Sequence, residues 1–217
     1  NTIIGGLAGD ALTTGGNNVG LGYGALSASV LGHSNTAIGV NAMGVGNATS
    51  TSGYNVAVGR DAGKSITDGR FNICIGGESG DAITTGTGNS MLGHGALGAL
   101  VSGGSNVAVG QSALTSSVDG DHNTAIGYNA LEDYEDGDGN GHNTAIGSKS
   151  QFNATTGEFN TSVGSLSMGF GVTTGDNNVA VGYQSALALT SGASNVLLGK
   201  GAGSALTTGS YNIAVGQ

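Results

Sequence analysis

The 217 residues include 45 glycines, no proline and no tryptophan, and only 9% are charged. Collagen is excluded, since glycine does not fall at every third position and proline is missing; 37% apolar content with so few charges is not the signature of a disordered chain. A net charge of −9, from 14 acidic and 5 basic residues, argues against nucleic acid, whose phosphates demand a Lys/Arg surface. No uninterrupted apolar stretch approaches the ~20 residues that span a bilayer as a helix. The single cysteine rules out an intrachain disulfide framework.

From the first residue the chain repeats itself. The motif Asn–β-branched–small–aliphatic–Gly begins at Asn1, Asn18, Asn35, Asn55, Asn72, Asn89, Asn106, Asn123, Asn143, Asn160, Asn178, Asn195 and Asn212. Nine of the twelve intervals are 17 residues, one is 18 and two are 20. With the Asn as position 1, position 5 is always Gly and position 4 always Ile, Val or Leu. Position 2 is Thr, Val or Ile except at Ser90, and position 3 is mostly Ala. Five residues, β-branched and bounded by Asn and Gly, predict a strand in each motif. Position 8 is Ala or Ser in every full repeat, and position 9 is usually Leu, Met or Gly. A second apolar or β-branched cluster follows near positions 12 and 13, as at Ile66–Thr67 and Leu206–Thr207. Gly then stands three residues before the next Asn, with Ser52 and Asn140 as the exceptions. Both exceptions fall in the 20-residue coils, where we expect surface loop insertions.

Each unit thus reads as two or three short strands parted by Gly turns, too small to bury its own apolar face but able to stack on its neighbours. The expected fold is all-β: a single domain over 1–217, a parallel β-solenoid or β-roll of about 13 coils with a 17-residue repeat. At roughly 4.8 Å per strand the rod would be about 58 Å long. The thirteen motif asparagines are expected to form a structural ladder along it, with turn geometry as the plainer alternative. Alternation places positions 2 and 4 on one face and position 3 on the other. Both faces are apolar, and a narrow coil encloses only one, so the second must face another part of the coil or another chain. The small residues at positions 3 and 8 suggest close backbone approach at the second face, and hence a homo-oligomer, a trimer first. With no capping repeat and no initiating Met, the chain is expected to be a piece of a longer fibre.

The consensus NTAIGxxALxxxTTGxxN resembles the repeat stretches of phage tail fibres and related tail-fibre-domain proteins of bacteria. It is carried by Asn35–Gly39, Asn123–Leu131, Asn143–Gly147 and Asn178–Gly182, with Thr–Thr–Gly at 13–15, 84–86, 155–157, 173–175 and 207–209. It is also similar to the head repeats of trimeric autotransporter adhesins, which have a comparable core in a shorter coil. The resemblance implies a homotrimeric fibre, on a virion or extracellular, continued by the rest of the fibre at both ends and holding or presenting a host-attachment region. The alternative is direct binding of a host glycan or receptor.

His33, His94, His122 and His142 sit beside turns, where solvated turn residues are the expected reading. Tyr54, Phe71, Phe159 and Tyr211 each precede a motif Asn. This broken aromatic column is a candidate receptor contact if its rings stack on sugars, against a role as cover for the solenoid edge. Arg60, Lys64 and Arg70 are expected to neutralise carboxylates such as Asp61 and Asp68. Cys74 falls in the position 3 column and reads as a small buried hydrophobe. The run Glu132–Gly141 holds five acidic residues. There Asp136, Asp138, Asn140 and Gly141 match the first half of a calcium loop, with Gly147 where an acidic ligand belongs; Ca2+ is the one cofactor weighed, against a solvated turn. The RTX calcium roll fails, because no Asp column exists. Ice binding would want a flat Thr-x-Thr array that these adjacent Thr pairs do not make. No paired carboxylates flank a groove as in phage-spike glycosidases, and no nucleophile–base set stands out, so an enzyme is not expected.

Overall fold

The structure, a computed structural model, describes residues 1–45, 53–135 and 141–216. Each motif forms one three-residue strand: Thr2–Ile4 (β1), Val19–Leu21 (β2), Thr36–Ile38 (β3), Val56–Val58 (β4), Ile73–Ile75 (β5), Ser90–Leu92 (β6), Val107–Val109 (β7), Thr124–Ile126 (β8), Thr144–Ile146 (β9), Thr161–Val163 (β10), Val179–Val181 (β11), Val196–Leu198 (β12) and Ile213–Val215 (β13). They pair in parallel and in sequence order into one 13-stranded sheet. The chain is a β-solenoid of about twelve turns. Every pairing sets like positions side by side, as in Val107↔Thr124, Ala108↔Ala125 and Val109↔Ile126. The 20-residue coils keep that register, with Thr36↔Val56 and Thr124↔Thr144. The loop insertions expected in these coils involve residues 46–52 and 136–140, which lie outside the described residues.

The stretch around positions 12 and 13 was expected as a further strand. Among the described residues it forms none: successive N–H groups converge there on one carbonyl of the next coil, with Thr84, Thr85 and Gly86 all donating to Val101 at 3.0, 3.2 and 3.3 Å, which is a turn and not a ladder. Positions 7, 9 and 17 all lie in the left-handed region, as at Ser112 (φ 55°), Leu114 (φ 54°) and His122 (φ 58°). A left-handed position 17 before each strand from β2 on and a positive-φ Gly at position 5 after it hold that strand to three residues. A non-Gly residue in the left-handed region costs roughly 1–2 kcal/mol, which the interlocked coils must offset. Position 5 tolerates no side chain at all: Gly76 has φ +131°, and a Cβ on it would lie 2.5 Å from the Gly93 carbonyl oxygen of the next coil.

The interior reverses one expectation. Positions 3 and 8 do not form a face for another chain: they meet inside the coil. Ala37, Ala57, Ala108, Ala125, Ala145 and Ala180 at position 3 are fully buried, as are Ala25, Ala62, Ala96, Ala113 and Ala130 at position 8. Ser185 Oγ, at position 8, donates to the position 3 carbonyl of Leu197 at 2.8 Å, which places the two columns against each other across the coil. They are small because a 17-residue coil brings its two walls that close. Larger side chains enter at positions 9 and 12, where Leu97, Leu100, Leu114 and Tyr134 are fully buried. Volume is shared between neighbours. Where position 9 is Gly80, the space goes to Ile83 and Met91, whose atoms would lie 2.8 Å from an added Cβ. Positions 2 and 4 then point outward, giving strands such as β3, β4 and β7 an intermediate–buried–intermediate pattern.

Candidate functional site

Asparagine forms the spine. In all twelve steps the backbone N–H of one motif Asn donates to Oδ1 of the Asn one coil before, at 2.8–3.1 Å. The side-chain amide then spans its own coil: Asn72 Nδ2 donates to the Gly86 carbonyl at 2.8 Å, and Asn106 Nδ2 to that of Gly120 at 2.7 Å. In several coils Nδ2 also reaches the preceding Oδ1, as from Asn106 to Asn89 at 3.0 Å. Asn18 to Asn195 are 0–1% exposed. A side chain of this length with one acceptor and two donors does two jobs at once: it ties strand to strand, and strand to the facing turn. Asp would lack the donors, and Gln carries its amide one carbon further out.

Positions 17, 2, 4 and 6 make the outer face of the sheet. Positions 2 and 4 form two aliphatic or hydroxyl columns, among them Ile73 (41% exposed) and Leu92 (51%). Position 17 carries the aromatic column. Tyr54 and Phe71 stack on each other with ring centroids 5.5 Å apart. Phe159 stacks on His142 at 5.0 Å, and His142 on His122 at 4.8 Å. The four candidate receptor residues therefore do not come together: they fall into two separate stacks, plus Tyr211 in the last coil at 84% exposed. Within each stack the rings spend a face on one another, so it is chiefly the stack ends and ring edges that meet solvent. Few residues mark position 17 as left-handed beforehand: Asn17, Asn177, His122 and His142 are of the types enriched in that region, whereas Phe71, Phe159 and Tyr211 are not.

A further column was missed. At position 16 an acceptor side chain caps the N–H of the preceding coil: Gly16 N–H donates to His33 Nδ1 at 3.0 Å, Glu158 N–H to Asp176 Oδ1 at 2.9 Å, and Ala193 N–H to Ser210 Oγ at 3.0 Å. Gly104 N–H donates likewise to Asp121. The acceptor appears in only some coils, too thinly to be read as a repeat column.

Of the three basic residues expected to gather carboxylates, Arg60 and Lys64 do so. Arg60 Nη1 lies 2.7 Å from Asp61 and its Nη2 pairs with Glu78 of the next coil; Lys64 Nζ is 3.4 Å from Asp61, and His94 Nε2 is 3.6 Å from Glu78. Beside this network burial lifts the Asp81 carboxyl above its ordinary value, with Glu78 and Asp61 adding to the shift and Lys64 opposing it. Cys74 is buried between Ala57 and Met91 in the position 3 column, and burial pushes its thiol up to about 12, which leaves it essentially without thiolate. The calcium candidates Asp136, Asp138 and Asn140 lie outside the described residues. Among the described residues no three His, Cys, Asp or Glu side chains gather in metal-binding range, and no pocket opens.

Spine, register and outward columns define the class: a parallel β-solenoid repeat protein with a 17-residue coil. Comparison with protein-family models, with curated proteins and with solved structures returns no match.

Proposed function

We propose that the chain is a structural fibre segment, a rod of a phage tail fibre or surface adhesin that spaces or presents a host-attachment region, on the virion or at the cell surface. The observation that carries this reading is the unbroken Asn spine, which links all thirteen strands in one register. Such a ladder yields only by parting whole coils, each held by backbone bonds around most of its circumference, so it resists bending and proteolysis together. Stiffness over a length of about 58 Å is what a spacer supplies. The repeat resemblance supports the fibre setting and a homotrimer of identical chains.

The reading is tested by offering the purified chain to a glycan array and to candidate host cells. A spacer should bind neither, while remaining folded under prolonged trypsin treatment. Saturable binding lost on Tyr54→Ala and Phe71→Ala would overturn it in favour of direct receptor contact.

A further inference from the structure

We infer that the outward face formed by positions 2 and 4 is where a second copy of this chain lies along the rod. This rests on the fibre reading and names the surface at which the copies meet.

Three observations carry it. The first is charge. Two positions in each of thirteen strands make this face, none is occupied by a charged residue, and yet the chain has 14 acidic and 5 basic side chains. Charges begin only at its margins, with Arg60 and Lys200 at position 6 and Asp121, Glu158 and Asp176 at position 16. An uncharged centre, aliphatic throughout position 4 and aliphatic or hydroxyl at position 2, with a charged rim is the anatomy of an interface.

The second is area. Two side-chain columns about 12 Å wide, over a rod of about 58 Å, present on the order of 700 Å². That approaches the ~800 Å² that each partner contributes to a stable protein interface. Ile73 (41% exposed), Leu92 (51%), Ile126 (37%) and Val181 (38%) lie along its length.

The third is period. The columns rise by one strand spacing per coil, and like positions are in register through both 20-residue coils. A partner that interdigitates with such columns over the whole rod must carry the same rise, as a second sheet packed face to face does. Another copy of this chain meets that requirement at every coil. A lipid surface fits less well, because the flanks hold acidic residues and lack the basic clusters that anionic headgroups draw in.

The test measures the mass of the full chain in solution by sedimentation and light scattering, against a 20.8 kDa monomer. The wild type is expected at a multiple of that mass. The double variant Ile126→Glu, Val181→Glu is expected to be monomeric with an unchanged β-sheet circular dichroism spectrum. Val118→Glu, 40% exposed but at position 13, should stay associated. If the glutamates unfold the chain, Ile126→Thr with Val181→Thr keeps the β-branched fit and should weaken association at least about tenfold. A wild type that stays monomeric at every concentration would overturn this inference and the multi-chain fibre together. An assembly that survives the position 4 changes but dissolves on Val118→Glu would overturn the face alone and leave the fibre. A monomer that floats with phosphatidylcholine vesicles, and stops doing so in the double glutamate variant, would assign the face to lipid instead.

Discussion

Asn106 concentrates the physics of a single residue in this fold. Its backbone N–H is held by Asn89, its Oδ1 takes the N–H of Asn123, and its Nδ2 holds the Gly120 carbonyl. Asn106→Ala leaves the Asn123 N–H and the Gly120 carbonyl without these partners in a dry interior, at roughly 1–3 kcal/mol for each group left unmet. We expect a loss of about 2–4 kcal/mol in urea unfolding; a loss below about 0.5 kcal/mol would mean the spine contributes little. Asp81 works in the opposite sense. Its folded-state carboxyl is raised, first by burial, so the folded chain binds that proton more readily than the unfolded one. Ionisation therefore weakens the fold at neutral pH, and the penalty lifts as pH falls through the raised value. Asp81→Asn should stabilise the chain at about pH 7 by less than about 1 kcal/mol, since the site is partly exposed. Thermal melts between about pH 7 and pH 4 should show that gain shrinking on acidification; a growing gain would contradict the assignment.

One coil is the unit of construction, and neighbours are joined by like-on-like pairing. Removing the 17 residues Asn106–His122 brings β6 against β8 with Ser90, Met91 and Leu92 facing Thr124, Ala125 and Ile126. Every ladder bond then has a new equivalent partner, so the shortened chain should fold, with a rod shorter by about 4.8 Å. Removing only residues 106–114 deletes a strand without restoring the coil, and should cost cooperative unfolding in circular dichroism melts. Not every coil is alike inside. The apolar core runs in two stretches, parted where Gln151 Nε2 donates to Ser162 Oγ at 2.9 Å and Ser150 lies beside the same hydroxyl at 2.5 Å. A buried polar layer of this kind fixes which coil meets which.

At the scale of the molecule the coil has an inside and an outside that its alternating pattern leaves undecided. Positions 2 and 4 are the larger and more aliphatic set, which the hydrophobic effect alone would bury. The small position 3 set is enclosed instead, because the 17-residue circuit is too narrow for two rows of branched side chains and because position 8 stands opposite. The larger row is left on the surface, and the rod becomes a molecule with one long uncharged side.

Much was legible in the residues themselves. A repeat with invariant Asn and Gly determines strand position, parallel order and register, because each coil's backbone must find its partner one period away. Ala and Ser at positions 3 and 8 signalled close packing as well. The tertiary structure decided where that packing occurs, since facing walls of one coil, and not two chains, bring those columns together. It also decided the left-handed residues at positions 7, 9 and 17, occupied by types as unlike as Leu114, Lys149 and Phe71. Such a conformation is imposed by closing the coil and holding it between neighbours; no local preference of those side chains announces it.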